Sequence, residues 1–319
     1  MPLVGNRRLR ENPGAAGEMA VRAGGLFPRC ANPRCSTGWM RLWRSRRVPG
    51  FEGRWACSAE CMGELVAAAL GREMDAGDRV AAPHAHRIPM GLLLVEQGRI
   101  TPEELRAALD GQRRAAEESG ERVRLGEWLL GSGVLSEPAL TRALSAQWNC
   151  PVFSLANYRA APVAGAMPHF LSEAAGAVPV RVAAGRLLYV AFADRIDRSL
   201  SYALERMTGL RVEAGIAPGS EFRAAQERFL AAAAPRSRCL EAAGSGVLAR
   251  SITQQIEAAR PLEARLVRMH DYYWLRMWRS PAVQPGVAAP DEVEDLLATI
   301  GRAGRGTGPG AGPGRPGAE

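Results

Sequence analysis

The sequence predicts an α+β protein built from a small four-cysteine zinc module, a helical tandem-repeat bundle and an αβ subdomain, flanked by disordered tails. Three observations carry this. Two close cysteine pairs, Cys30-x4-Cys35 and Cys57-x3-Cys61, are separated by 21 residues. A gapless repeat with a period of 35 residues occupies 88–149. Strand-like and helix-like segments then alternate through 150–235.

The length, 319 residues, suits about two domains, and 47% hydrophobic against 23% charged residues is the balance of a chain with real cores. All 41 basic residues are arginine. Without a single lysine there can be no Walker A phosphate loop, no Schiff-base or pyridoxal-lysine chemistry and no kinase strand lysine. No run of 18 apolar residues exists, so membrane insertion is not expected, and the N-terminus lacks the apolar core of a secretory signal. These features place the protein in the cytoplasm, where thiols stay reduced and paired cysteines hold metal rather than form disulfides. Residues 1–25 and 301–319 are small, polar and Gly-rich and read as disordered.

Residues 26–75 form the cysteine module. Cys30, Cys35, Cys57 and Cys61 have the arrangement of a structural zinc site, two short-spaced pairs on tight turns joined by a longer arm. Four cysteines leave no open coordination position, so the role is structural. So small a block buries little apolar area, and zinc would supply much of its folding energy. The run MRLWRSRRVPGFEGRWACS reads as a hairpin turning at Val-Pro-Gly, followed by a helix over 63–70. Its arginines, Arg41, Arg44, Arg46 and Arg47, alternate with tryptophan and offer a nucleic-acid surface. A solvated basic face is the plainer alternative. Residues 76–87 read as a linker containing His84 and His86; His169 and His270 read as isolated.

The repeat aligns Met90-Gly91-LLLVEQ-Gly98-RITPEE-Leu105-RAA-Leu109-DG-Gln112 with Leu125-Gly126-EWLLGS-Gly133-VLSEPA-Leu140-TRA-Leu144-SA-Gln147. Each unit predicts a short helix, a glycine cap, a tight turn whose hydroxyl N-caps the next helix, and a longer amphipathic helix. Thr101-x-x-Glu104 has capping-box spacing. The stripes Leu92/Val95/Ile100/Leu105/Leu109 and Leu129/Leu130/Leu135/Leu140/Leu144 are expected to pack together as a pseudo-symmetric bundle.

This tandem pattern resembles the N-terminal domain of the type II secretion and type IV pilus assembly ATPases, in its MshE-like version. The resemblance continues through 150–232 as the αβ subdomain. There it implies a helix near 168–175, a hairpin of VPVRV and LLYVAFAD turning at Gly185-Arg186, and a helix over 197–208. A strand LRVEAGIA and a helix over 221–230 follow. In MshE-like domains the tandem motif binds cyclic di-GMP. Carried over by position, the ligand residues would be Met90, Gly91 and Gln112 in the first unit and Arg124, Leu125, Gly126 and Gln147 in the second. Arginine would meet phosphate and guanine, and glutamine a base edge. In the first unit Pro89 stands where the pattern has arginine, with Arg87 two residues earlier.

Residues 245–281 resemble the αββ element that opens the next domain of that family, with a helix over 247–259 and two strands turning at His270-Asp271. Residues 291–300 read as a short acidic helix. The resemblance implies a non-enzymatic adaptor or regulator that docks on a protein partner of a secretion, pilus or signalling system, as the family domain docks on the cytoplasmic partner of the inner-membrane platform. A cyclic di-GMP receptor is the first alternative, and a nucleic-acid binder acting through the zinc module is the second.

Overall fold

The computed structural model describes residues 30–35, 49–80, 87–120, 123–281 and 285–301, with the side chains of 77–80 excepted. The expected disordered tails, the arginine-rich arm with its nucleic-acid surface, and His84 and His86 lie outside the described residues.

A hairpin pairs β1 (Gly50–Phe51) with β2 (Arg54–Trp55). It turns at Glu52-Gly53 rather than at Val-Pro-Gly. Both turn residues have positive φ, 49° and 72°, the geometry a two-residue hairpin loop needs to match strand twist. The helix that follows, α1 (Ala59–Val80), is far longer than the expected 63–70 and runs into the segment expected to be a linker. Ser58 Oγ accepts the Cys61 N–H at its first turn. Met62, Leu65, Val66, Ala69 and Leu70 then fall at helical spacing on one buried face.

The repeat forms α2 (Met90–Glu96), α3 (Pro102–Ser119), α4 (Leu125–Gly131) and α5 (Glu137–Trp148). The capping box at the head of α3 is complete, with Thr101 Oγ1 accepting from Glu104 N–H and the Glu104 carboxylate accepting from Thr101 N–H. The matching hydroxyl at Ser136 makes no side-chain cap; only its carbonyl receives N–H groups of α5. The buried stripes also differ from expectation. Leu94 and its mate Leu129 are fully buried with Ile100, Leu135, Ala108 and Ala143, while Leu92 and Leu109 face solvent. In a seven-residue helix the inward face is set by where the next helix crosses, which local spacing does not encode.

A three-stranded sheet follows in the order β3 (Ala177–Ala183), β4 (Leu187–Phe192), β5 (Arg211–Ile216). It is flanked by α6 (His169–Ala175), α7 (Arg198–Thr208) and α8 (Gly219–Leu230). β3 and β4 are antiparallel, and β4 and β5 are parallel across the α7 crossover.

A four-stranded sheet closes the molecule in the order β6-β9-β8-β7, with β6 (Arg236–Ala242), β7 (Glu263–Met269), β8 (Tyr272–Trp278) and β9 (Val293–Ile300). α9 (Ser245–Ala259) connects β6 to β7. The expected acidic helix over 291–300 is therefore a strand, preceded only by a short turn of 3-10 helix. β9 lies between β6 and β8 and is buried from Val293 to Ala298, its acidic side chains included. Asp295 is 0% exposed because Arg276, itself 1% exposed, meets both its oxygens at 2.8 Å and Trp274 Nε1 donates to it at 2.8 Å. The expected αββ element is thus part of a larger sheet.

This sheet has two covered faces. On one, Leu266, Tyr273, Leu275, Leu296 and Ala298 share a core with α9, α1 and Phe51 of the first hairpin. The cysteine module and the last sheet, far apart in sequence, are one packed unit. On the other face, Trp274, Trp278, Val267, Val293 and Leu297 join the core of the αβ subdomain. Arg276 reaches across that seam and donates to the carbonyls of Gly165 and Ala166 at 2.8 and 3.0 Å. Gly165 must be glycine here, since a Cβ would sit 1.9 Å from the Ala288 carbonyl oxygen. No helix among the described residues is long and apolar enough to cross a membrane.

Candidate functional site

The first candidate site is the cysteine cluster. Asn32 and the turn after it position Cys30 and Cys35, the bend leading into α1 positions Cys57, and the first turn of α1 positions Cys61. All four sulfurs lie within 4.8 Å of one another. Cys35 and Cys57 Sγ are 3.5 Å apart, and Cys57 and Cys61 Sγ are 3.7 Å apart. A tetrahedron of thiolates about 2.3 Å from a metal has edges of about 3.8 Å, so the donor set fits such an ion. Two N–H groups already point at sulfur: Asn32 Nδ2 toward Cys61 at 3.3 Å and Cys57 N toward Cys30 at 3.4 Å. Such contacts orient and stabilise ligating thiolates. Burial raises the Cys30 thiol, and burial plus the neighbouring sulfurs push Cys57 up to about 12. These four cysteines can hold a metal ion.

The second candidate site is the repeat. Its seven candidate residues occupy equivalent places in two units, and the structure shows what each does within the chain. Gln147 Nε2 donates to the Ile88 carbonyl at 2.9 Å, at the entry to α2. Gln112 Nε2 donates to the Val123 carbonyl, at the entry to α4. Each glutamine thus anchors the short helix of the other unit. Met90 and Leu125 open those helices and pack partly buried against the bundle core. The two glycines also have matching roles. A Cβ at Gly91 would meet Leu105 at 2.6 Å, and one at Gly126 would meet Leu140 at 2.9 Å. Their lack of a side chain admits a leucine of the following helix. Arg124 caps α4 as its N-cap residue and its guanidinium pairs with Asp194, at the end of β4.

Local reading missed the residues that join the repeat to the αβ subdomain. Trp148 Nε1 donates to the Asp194 carbonyl at 3.0 Å, and the Arg87 guanidinium lies 3.2 Å above the Trp148 ring. Glu137 of α5 accepts from Ser220 N and Oγ at the head of α8, and these bonds hold its carboxyl below the usual range. His270, expected to be isolated, places Nε2 2.7 Å from the buried Asp197 carboxylate. The spacing of Arg124 from Asp194 and of His270 from Asp197 carries no local signal.

A paired-helix repeat leads into a three-stranded αβ unit, while the cysteine cluster packs with α9 and the last sheet. Residues 148–236 match the MshEN domain. Over 147 residues the chain is 30% identical to the type IV pilus assembly ATPase PilB of Myxococcus xanthus (strain DK1622), a stretch that is 46% of this chain. It spans 25% of that relative's length. Among solved structures, a structure of MshE with cdg is similar at 28% identity and a TM-score of 0.36, covering 45% of this chain and 99% of that one. The N-terminal domain of XpsE is similar at 22% identity and a TM-score of 0.32, covering 44% and 92%.

Proposed function

We infer that the protein is a non-enzymatic adaptor or regulator. In this reading its MshE-type domain serves as a docking scaffold for a protein partner of a secretion, pilus or signalling system. One observation carries the reading. The polar residues that would meet a nucleotide in the repeat are engaged within the chain: Gln147 with Ile88, Gln112 with Val123 and Arg124 with Asp194. The glycines that would admit a ligand admit Leu105 and Leu140 instead. A closed, rigid repeat of this kind presents a fixed surface, which suits docking. Zinc is the metal of the cysteine cluster in this reading, since four thiolates at tetrahedral spacing suit it and leave no position for catalysis. The work of the protein is cytoplasmic.

A second reading has one specific observation in its favour. The second unit keeps Arg124, Leu125, Gly126 and Gln147, the positions that the tandem motif uses for cyclic di-GMP in MshE-like domains. MshE itself was solved with cdg. As a cyclic di-GMP receptor the protein would have to open the Arg124–Asp194 pair and free Gln147 from Ile88.

Biolayer interferometry of the full chain against the cytoplasmic domain of a secretion or pilus platform protein from the same genome tests the adaptor reading. Saturable binding that survives Gln147→Ala supports it. Binding that appears only when cyclic di-GMP is added transfers the role to the receptor reading.

A further inference from the structure

The four-stranded sheet ends on one side in an open strand. Its opposite edge is closed, because Glu52 N at the tip of the first hairpin donates to the Ala264 carbonyl of β7 at 2.8 Å. On the other side no described strand lies beyond β6. β6 is seven residues long, enough to pair with a further strand, and Arg236, Ser237, Arg238 and Cys239 are all exposed. The ladder tells which of its backbone groups are free. Gly301 N donates to the Ala242 carbonyl at 2.8 Å, so Ala242 turns its N–H and C=O toward β9. The parallel register runs unbroken, so Leu240, Arg238 and Arg236 do the same. Ser237, Cys239 and Glu241 therefore turn theirs outward, and among the described residues no backbone group bonds to them. An unpaired row of this kind is a template for another strand.

The side chains decide which strand fits. On the face shared with α9, Arg236 and Arg238 stand in register with Glu294 and Leu296 of β9. Glu294 meets Arg238 at 3.6 Å and also pairs with Arg279. Arg236 makes no ion pair among the described residues. Positive charge is thus in excess at the start of the open edge. On the opposite face Ser237 and Cys239 are uncharged, and Glu241 follows only toward the far end. A second copy of the chain fits this edge poorly. Pairing antiparallel with Cys239 on the twofold axis, it would set the two Arg238 side chains diagonally across the axis on one face, like charge against like.

We propose that the free edge of β6 is a docking site for an acidic extended segment of a partner protein, which joins the sheet as a fifth strand. Backbone bonds to Ser237, Cys239 and Glu241 supply affinity. Carboxylates at alternate positions of the incoming strand reach Arg236 and Arg238 and supply selectivity, because charge-assisted bonds to arginine are the stronger kind. The residues between them lie over Ser237 and Cys239 and are uncharged. Charged side chains on an edge deter unwanted strands; here their single sign selects the opposite one. The site uses no residue of the repeat, so it stands whether or not the adaptor or receptor reading does.

The experiment uses the full chain and a fluorescent peptide that alternates glutamate with valine, read by anisotropy, with the lysine–valine peptide as its charge-reversed control. Ser237→Pro removes an outward N–H and leaves the bonds to β9 in place. Arg236→Glu reverses the unpaired charge, and Arg211→Glu, on exposed Arg211 of β5, is the control. Thermal melts check folding. The glutamate peptide is expected to bind and the lysine peptide not to. Affinity is expected to fall about tenfold or more in Ser237→Pro and in Arg236→Glu and to stay within about twofold in Arg211→Glu. In the unaltered protein the peptide should slow amide exchange at Ser237, Cys239 and Glu241, a readout that does not depend on any variant folding. No binding of the glutamate peptide, equal weakening by Arg236→Glu and Arg211→Glu, or binding without that protection overturns the site. A dimer in sedimentation that Ser237→Pro disperses also overturns it, since a second copy then occupies the edge.

Discussion

Gln147 donates to the carbonyl of Ile88, and one repeat period earlier Gln112 donates to the carbonyl of Val123. The two bonds cross between units, so the repeat is a reciprocal clasp about a pseudo-twofold axis. The contacts that close it engage Gln112 and Gln147, two of the residues that the family resemblance marks as candidate ligand residues.

The clasp has a stability signature. Gln112→Ala and Gln147→Ala are each expected to cost about 0.5–1.5 kcal/mol, the usual net value of an intramolecular hydrogen bond. Gly126→Ala, which brings a methyl group 2.9 Å from Leu140, is expected to cost about 1–3 kcal/mol. Urea unfolding of the three variants checks both figures.

The buried pair of Arg276 and Asp295 joins the last sheet to the αβ subdomain through the Gly165 and Ala166 carbonyls. Arg276→Met leaves Asp295 charged in the core and is expected to cost about 3–5 kcal/mol. Adding Asp295→Leu to it is expected to restore part of that loss, because the lone charge is gone. Guanidinium unfolding of the single and double variants measures the recovery.

Metal removal is expected to reach well beyond the cysteines. α1 starts between Cys57 and Cys61, carries Cys61 in its first turn, and shares its core with α9 and the sheet. Chelation should therefore speed amide exchange in α9 and β9 while leaving β3 and β4 protected. Exchange followed by mass spectrometry, with and without a zinc chelator, distinguishes this from unfolding confined to the hairpin.

His169 packs edge-on against Phe229, and its Nε2 is buried without a partner. Burial holds its pKa below the ordinary value, outweighing Glu173 and the Phe229 carbonyl. The unfolded chain then binds the proton more readily, so stability is complete above about pH 6.5 and declines as pH falls toward the folded-state value. Melting temperatures from pH 7.5 to 5 should fall more for the unaltered protein than for His169→Phe.

The repeat and the four-cysteine cluster were legible because their signals are local, a fixed period and short Cys spacing, whereas the β3–β4 hairpin and α7 were expected through the family resemblance. What escaped was set by distant partners. The sequence VEDLLATI has good helix formers and no alternation. It is a strand because Arg276, Trp274 and Arg279 supply partners for Asp295 and Glu294, and because both faces of β9 are covered. Likewise nothing near Cys61 announces that α1 continues to Val80. Its length is fixed by α9 and by Glu73, which accepts the Arg268 N–H at 2.9 Å. The repeat's polar residues were visible as a motif, but their in-chain acceptors, Ile88 and Val123, were not.

The most direct measurement is a calorimetric titration with cyclic di-GMP of the full chain and of an Arg124→Ala, Gln147→Ala double variant. If these side chains hold the repeat closed as a docking scaffold, the two proteins give the same isotherm. Saturable micromolar binding by the unaltered chain that disappears in the double variant would contradict the scaffold and make the repeat a second-messenger receptor.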